Sequence, residues 1–240
     1  RDTASRARRP AVFDILRDYW PMLLVGQYPH GPLGGLAMTL IVAGLGLLLS
    51  LPLALMIAIA RVSPYRAVAR CAAALVHVVR GMPLLMLIFW AYFVVPKVTG
   101  HAVSGFTTLV CALVIYESAY LSEVIRSGIE AIPKGQIEAS RSLGIGYWRT
   151  MLKVVLPQAL FNVLPSMTSQ FVSTVKETSL GYVISVNELT FAANQVNNLV
   201  LTKPLQVFGV LAIIYFIVCF TLSRGVSLLD ARVRRARAMR

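Results

Sequence analysis

Acidic residues are scarce in this 240-residue chain: 10 Asp and Glu stand against 23 Lys and Arg, and all charged residues together make up 14%. So little charge excludes a disordered polar chain. With 57% hydrophobic residues and a mean hydropathy of +0.71, the chain also lies outside the usual balance of a soluble domain. Its three cysteines, Cys71, Cys111 and Cys219, are far apart and each lies in an apolar stretch, so neither a disulfide framework nor a cysteine metal site is expected. Of the three histidines, His77 reads as a packing residue and His30 and His101 as loop residues. The chain contains no H-E-x-x-H, no G-x-S-x-G and no G-x-x-x-x-G-K-[ST]. It therefore reads as a non-enzyme without its own ATP site, and no metal or cofactor is expected in it. The first thirty residues mix RARRP with VFDILRDYW and offer no apolar core before a small-residue cleavage site, so no cleaved signal peptide is expected.

What is present is a series of long apolar runs. Leu33 to Ala60 is 28 residues without a charge, against the roughly 20 needed to cross a hydrocarbon core of about 30 Å. Four further runs follow: Cys71 to Pro96, broken by His77 and Arg80; Ala102 to about Arg126; Val154 to Val175; and Leu205 to Ser223. The expected fold is all-α and integral to the membrane, with five transmembrane helices. Residues 1-32 read as a tail and interfacial helix, 33-226 as the membrane domain and 227-240 as a basic tail. The net charge of +13 fits membrane topology better than nucleic acid, because Lys and Arg cluster between the runs. The segments Arg61 to Arg80, Arg126 to Lys153 and Arg224 to Arg240 hold 15 of the 23 and are expected in the cytoplasm. Pro96 to Gly105 and Gly181 to Pro204 carry almost none and are expected outside, which with five spans puts the N-terminus outside as well. Arg1, Arg6, Arg8, Arg9 and Arg17 run against that placement.

Ionisable residues inside such runs are costly, about 2.5 to 3.5 kcal/mol near the bilayer centre on insertion scales, and mark solute paths by default. Arg80 stands inside the second run, next to Gly81 and Pro83, which loosen the helix. Glu117, Tyr120 and Glu123 share roughly one face of the third run at i, i+3 and i+6; Gln170, Thr174 and Glu177 do so on the fourth at i, i+4 and i+7. The candidate path residues are Arg80, Glu117, Tyr120, Gln170, Thr174 and Glu177. The alternative is that Arg80 pairs with Glu117 or Glu123 and only locks the bundle. Trp20, Trp90, Tyr92 and Trp148 fall near expected interfaces and read as anchors.

Between the third and fourth runs lies KGQIEASRSLGIGYWRTMLKVVLPQAL, residues 134 to 160. Good helix formers, the pair Gly144 and Gly146, then Tyr147 to Leu156 closed by Pro157 predict two short helices joined by a turn. The order is Glu138-Ala139-Ser140, three residues, Gly144, nine residues, Val154-x-Leu156-Pro157. It resembles the cytoplasmic loop of bacterial ABC importer permeases, which reads E-A-A, three residues, G, nine residues, I-x-L-P. The spacing is the same, with Ser140 in place of Ala and Val154 in place of Ile. RGMPLL at 80 to 85, the run from Ala119 to Gln136, and KETSL at 176 to 180 are similar to segments of the polar amino acid permeases, most like the glutamate and aspartate branch.

This resemblance, over about Leu33 to Ser223, implies the type I permease fold with a coupling helix in residues 128-157, in which Glu138, Ala139, Ser140 and Gly144 meet the ATPase. It also implies an inner-membrane location and three partners: a dimer of ATP-binding subunits, which would hold ATP and Mg; a second permease, identical or related; and an extracytoplasmic amino acid binding protein. Arginine, histidine and glutamine stay open beside the acidic substrates. An ion-coupled carrier is the rival class; it would usually show inverted repeats or more spans.

Overall fold

The computed structural model describes residues 11 to 238. Helix α1, Ala11–Val25, is followed by α2, Gly35–Arg61, then α3, Arg66–Arg80. A broken stretch, α4 (Leu84–Phe89), a π-helical turn (Trp90–Val94) and α5 (Val95–Thr99), leads to α6, Gly105–Glu130. Two short helices, α7 (Lys134–Ser142) and α8 (Tyr147–Thr150), precede a second π-helical turn, Met151–Val155, and α9, Leu156–Glu177. A 3₁₀ segment, Thr178–Ile184, then α10, Leu189–Val200, and α11, Pro204–Ala238, complete the order.

On α2, Thr39, Val42, Ala43, Ser50, Ala54 and Ala58 are fully buried, a helical period, while Leu48, Leu49 and Met56 are exposed on the other side. A helix apolar all round belongs in lipid. Among the described residues, three helices are long and apolar enough to cross a membrane: α2, α6 and α11 up to Leu228. The expected second span is not one straight helix. α3 ends at Arg80, and the segment through α4 and α5 departs at 96°, so the two count as a fourth span only if taken together. Pro83 accounts for the break, since it lacks an N–H to continue the ladder. The expected fourth span falls in α9, a 22-residue helix that carries Asn162, Gln170, Lys176 and Glu177 and is not among those three. α11 runs on from the expected fifth span through residues 227 to 238 as one helix.

The chain divides into two compact units. One comprises the chain up to Leu45, Ile88–Val110 and Val175–Leu222. Its core joins Ile15 and Leu23 of α1 to Leu189, Ala193 and Val196 of α10 and Val207 and Val210 of α11. The Glu188 carboxylate caps α10, accepting the N–H groups of Thr190 and Phe191, each at 2.8 Å, while the Leu189 N–H donates to Thr39 at 3.1 Å.

The other unit comprises Gly46–Leu87, Cys111–Thr174 and the chain from Ser223. Ala54 and Ala58 meet Leu121, Ile125 and Ile129 of α6, and Met151, Val155, Leu156, Ala159 and Val163 close the cluster. Small residues set how near these helices come. A Cβ on Gly128 would stand 2.5 Å from Val163 and 3.1 Å from the Ala159 carbonyl, so α6 and α9 touch through glycine at that level.

Candidate functional site

Two features of the second unit hold Arg80, Tyr120 and Glu123 and the loop residues Glu138, Ala139, Ser140 and Gly144. The first is a charged cluster where three helices meet. Glu123 lies in α6, Arg61 is the last residue of α2 and Arg80 the last of α3. Val76 and Val79 of α3 pack against Ile57 and Ala119, which brings the end of α3 beside the end of α2. Arg80 is therefore not alone in the second span: the break at Gly81 to Pro83 ends its helix beside two other guanidiniums. One Glu123 oxygen accepts from Arg61 and the other from Arg126, with the Arg126 Nε at 3.1 Å and Nη2 at 2.5 Å. Arg126 also pairs with Glu130 one turn on. Three guanidiniums thus face two carboxylates.

Arg80 is the least committed of the three. Its nearest carboxylate oxygen, on Glu123, is 4.0 Å away and already taken by Arg61. Its side chain is 41% exposed, against 11% for Arg61 and 24% for Arg126. The guanidinium carbon lies 5.0 Å from the centre of the Tyr120 ring, a cation–π distance. Tyr120 is itself held by Tyr116, whose hydroxyl donates to it at 3.1 Å. Arg80 and Tyr120 therefore come together, with Glu123 between the arginines. In the sequence Arg61 and Arg126 stand only as topology charges; the i, i+3 and i, i+4 spacing of Glu123, Arg126 and Glu130 is the signal that finds part of the cluster.

Glu117 stands elsewhere on α6. It is fully buried and accepts from the Thr174 hydroxyl at 2.7 Å, and the same hydroxyl lies 3.0 Å from the Gln170 carbonyl. This joins α6 to α9. Glu177 belongs to the first unit and is half-buried.

The second feature is the loop. Pro133 precedes α7, and Gly144 turns the chain with a φ of +73°, a left-handed conformation that a residue with a Cβ resists. The turn is tied by Ile145 N–H to the Ser140 carbonyl at 3.0 Å and Gly144 N–H to the Arg141 carbonyl at 2.9 Å. Glu138 and Ala139 are exposed, whereas Ser140 turns inward, its hydroxyl donating to the Gln136 carbonyl at 2.8 Å. Leu143, at the tip, is 79% exposed. An exposed acid, a small residue and a bare leucine thus stand together at a tight turn.

An exposed helix-turn-helix loop between long apolar helices is the arrangement of a helical membrane protein. Residues 50–235 match the family described as "Binding-protein-dependent transport system inner membrane component", and the chain belongs to that family. It is 38% identical over 217 residues to the probable glutamine ABC transporter permease protein GlnP of Bacillus subtilis (strain 168), a match covering 88% of this chain and 99% of that one. It is 32% identical over 207 residues to the glutamate/aspartate import permease protein GltK of Escherichia coli O157:H7, covering 83% and 92%. A solved structure described as the crystal structure of an amino acid ABC transporter with histidines superposes with a TM-score of 0.81 at 31% identity, covering 93% of this chain and 99% of that one. The chain is an amino acid ABC importer permease of the type I fold, a multi-pass protein of the bacterial inner membrane.

Proposed function

We propose that this permease forms half of the path of an importer for an acidic amino acid, glutamate or aspartate, with Arg80 accepting a substrate carboxylate. The observation that carries the reading is the unequal commitment of the guanidiniums around Glu123. Arg61 and Arg126 occupy its oxygens, and Arg80 keeps a half-exposed fork on an aromatic floor. A guanidinium fork matches a carboxylate in two parallel bonds, and such charge-assisted bonds are about twice as strong as neutral ones. Glutamine is the second reading, favoured by the 38% identity to a permease named for it; Arg80 then holds the α-carboxylate that all these substrates share. Glu117, which accepts from Thr174 and so joins α6 to α9, or Glu177 contacts the α-ammonium.

The spans are α2, α3 with α4–α5, α6, α9 and α11. The α7–α8 loop docks a dimer of separate ATP-binding subunits through Glu138, Ala139 and the Gly144 turn, with ATP and Mg held by that partner. A second permease, identical or related, completes the path, and an extracytoplasmic binding protein delivers the amino acid. The test is Arg80→Ala and Arg80→Lys in the assembled complex. Uptake should fall at least tenfold in both while the yield of complex stays at the wild-type level; a fall in yield with normal uptake per complex would make Arg80 a lock of the bundle. Competition of labelled glutamate uptake by aspartate, glutamine and arginine ranks the substrates.

A further inference from the structure

Among the described residues, two side-chain hydrogen bonds tie the α7–turn–α8 block to the bundle. At one, Gln158 of α9 donates through Nε2 to the Gln136 side chain of α7 at 2.6 Å. At the other, the Tyr147 hydroxyl, at the start of α8, donates to the Val62 carbonyl at 2.7 Å. Val62 directly follows the last residue of α2. Its N–H bonds back to Ala58 at 3.2 Å, and the next N–H, of Ser63, returns to Ala60 at 3.3 Å. The Val62 carbonyl thus belongs to the group of helix-end acceptors that have no partner along their own helix. A residue 85 positions later supplies one.

The surroundings make this a mechanical joint. The Tyr147 ring is half-buried and, like Val62 and Ile137 of α7, packs against the apolar cluster that contains Met151 and Val155. It meets Trp148 edge-on, with ring centres 5.3 Å apart. Burial raises the Tyr147 hydroxyl above its ordinary value of 10.0, so it stays protonated and remains a donor. The loop itself is braced as a unit by its own turn bonds, so a push on α7 displaces α8 with it. At Tyr147 the displaced block is fastened to the end of α2, a 27-residue helix.

We infer that Tyr147 is a positioning residue for coupled transport: through its bond to the Val62 carbonyl it passes the displacement of the α7–α8 loop to α2. The inference rests on the proposal that this loop docks the ATPase. Its chemistry requires a donor at the tip of a rigid ring, so phenylalanine, which keeps the packing and loses the hydroxyl, separates the bond from the ring.

The experiment compares wild type and Tyr147→Phe as full complexes in proteoliposomes, with labelled glutamate and labelled glutamine as probes. ATP hydrolysis and uptake are read on the same preparation. The expected result is a normal yield of complex, ATP hydrolysis retained, and an increase of roughly two- to ten-fold in ATP used per amino acid moved, the range a single neutral hydrogen bond commands. Tyr147→Ala, which also removes the ring, should lower the yield as well. An unchanged ratio in Tyr147→Phe overturns the inference, and so does a parallel loss of yield, hydrolysis and uptake, which marks a merely structural contact. Failure of the docking proposal is distinguishable, because Glu138→Lys would then leave the ATPase bound and stimulated.

Discussion

Glu188 offers a measurement that depends on one buried carboxyl. It lies outside the apolar spans, at the start of α10, with no exposed surface. Burial pushes its pKa from an ordinary value near 4.5 up to about 7, a rise that the N–H groups of Thr190 and Phe191 and the Tyr215 hydroxyl, at 3.1 Å, offset only in part. Because the folded-state value is raised, the folded chain keeps a proton that the unfolded chain has already released between those two values. The contribution to stability is therefore complete below about pH 4.5 and is lost as pH rises through about 7. At 1.36 kcal/mol per unit, the full penalty is about 3 kcal/mol, of which about 2 kcal/mol falls between roughly pH 5.5 and pH 8.

Other groups titrate over the same range, so the informative quantity is a difference between two proteins. Glu188→Gln cannot ionise. Its single carbonyl oxygen caps one of the two N–H groups, and its amide can donate to Tyr215, so the variant loses about 1 kcal/mol at every pH. The wild type should be the more stable protein at about pH 5 and the less stable one at about pH 8, the difference curve changing sign between them. At about 2 to 4 °C per kcal/mol for a chain of this size, the swing amounts to about 4 to 8 °C in the unfolding midpoint. Thermal unfolding of the two purified complexes, followed by tryptophan fluorescence at matched pH values, reads it directly. Parallel curves, with no change in the difference across that range, would refute the assignment of a raised carboxyl at Glu188.

The loop and the topology give the remaining predictions. Glu138→Lys reverses an exposed charge, and Gly144→Asp forces a Cβ into a φ of +73°, at about 1 kcal/mol or more; each should leave the protein in the membrane and strip ATPase from it on purification. In a background lacking Cys71, Cys111 and Cys219, cysteines at Ser104 and at Leu199, which is 62% exposed, should take an impermeant maleimide from outside. Leu143→Cys should take it only from the cytoplasmic side, and labelling of all three from one side would overturn the arrangement of spans.

The parts of the fold legible in the sequence are those that local chemistry decides. The turn at Gly144 is one: a glycine between two stretches of helix formers predicts a left-handed residue, and φ is positive there. The weak point at Gly81 to Pro83 is another, because a missing N–H loosens a helix wherever that helix packs, though the full break there was not expected. The 96° departure that follows the break was not legible. Nor was the packing of Val76 and Val79 on Ile57 and Ala119, contacts far away in sequence. The same packing places Arg80 beside Arg61, 19 positions earlier by their numbers, so an arginine that reads as solitary in its own run belongs to a five-residue charge cluster. Glu188 shows the limit from the other side. Nothing in its own segment marks Glu188 as buried; α10, Thr39 of α2 and Tyr215 of α11 close over it, and the start of a helix supplies the N–H groups that make its burial tolerable. Periodicity locates a polar residue on a helix, but only the partner helix decides whether that residue faces solute, lipid or another charge. For Arg80 the deciding partner is Glu123, and because Arg61 and Arg126 hold Glu123 first, the most exposed of the three arginines is the one with the weakest claim on that carboxylate.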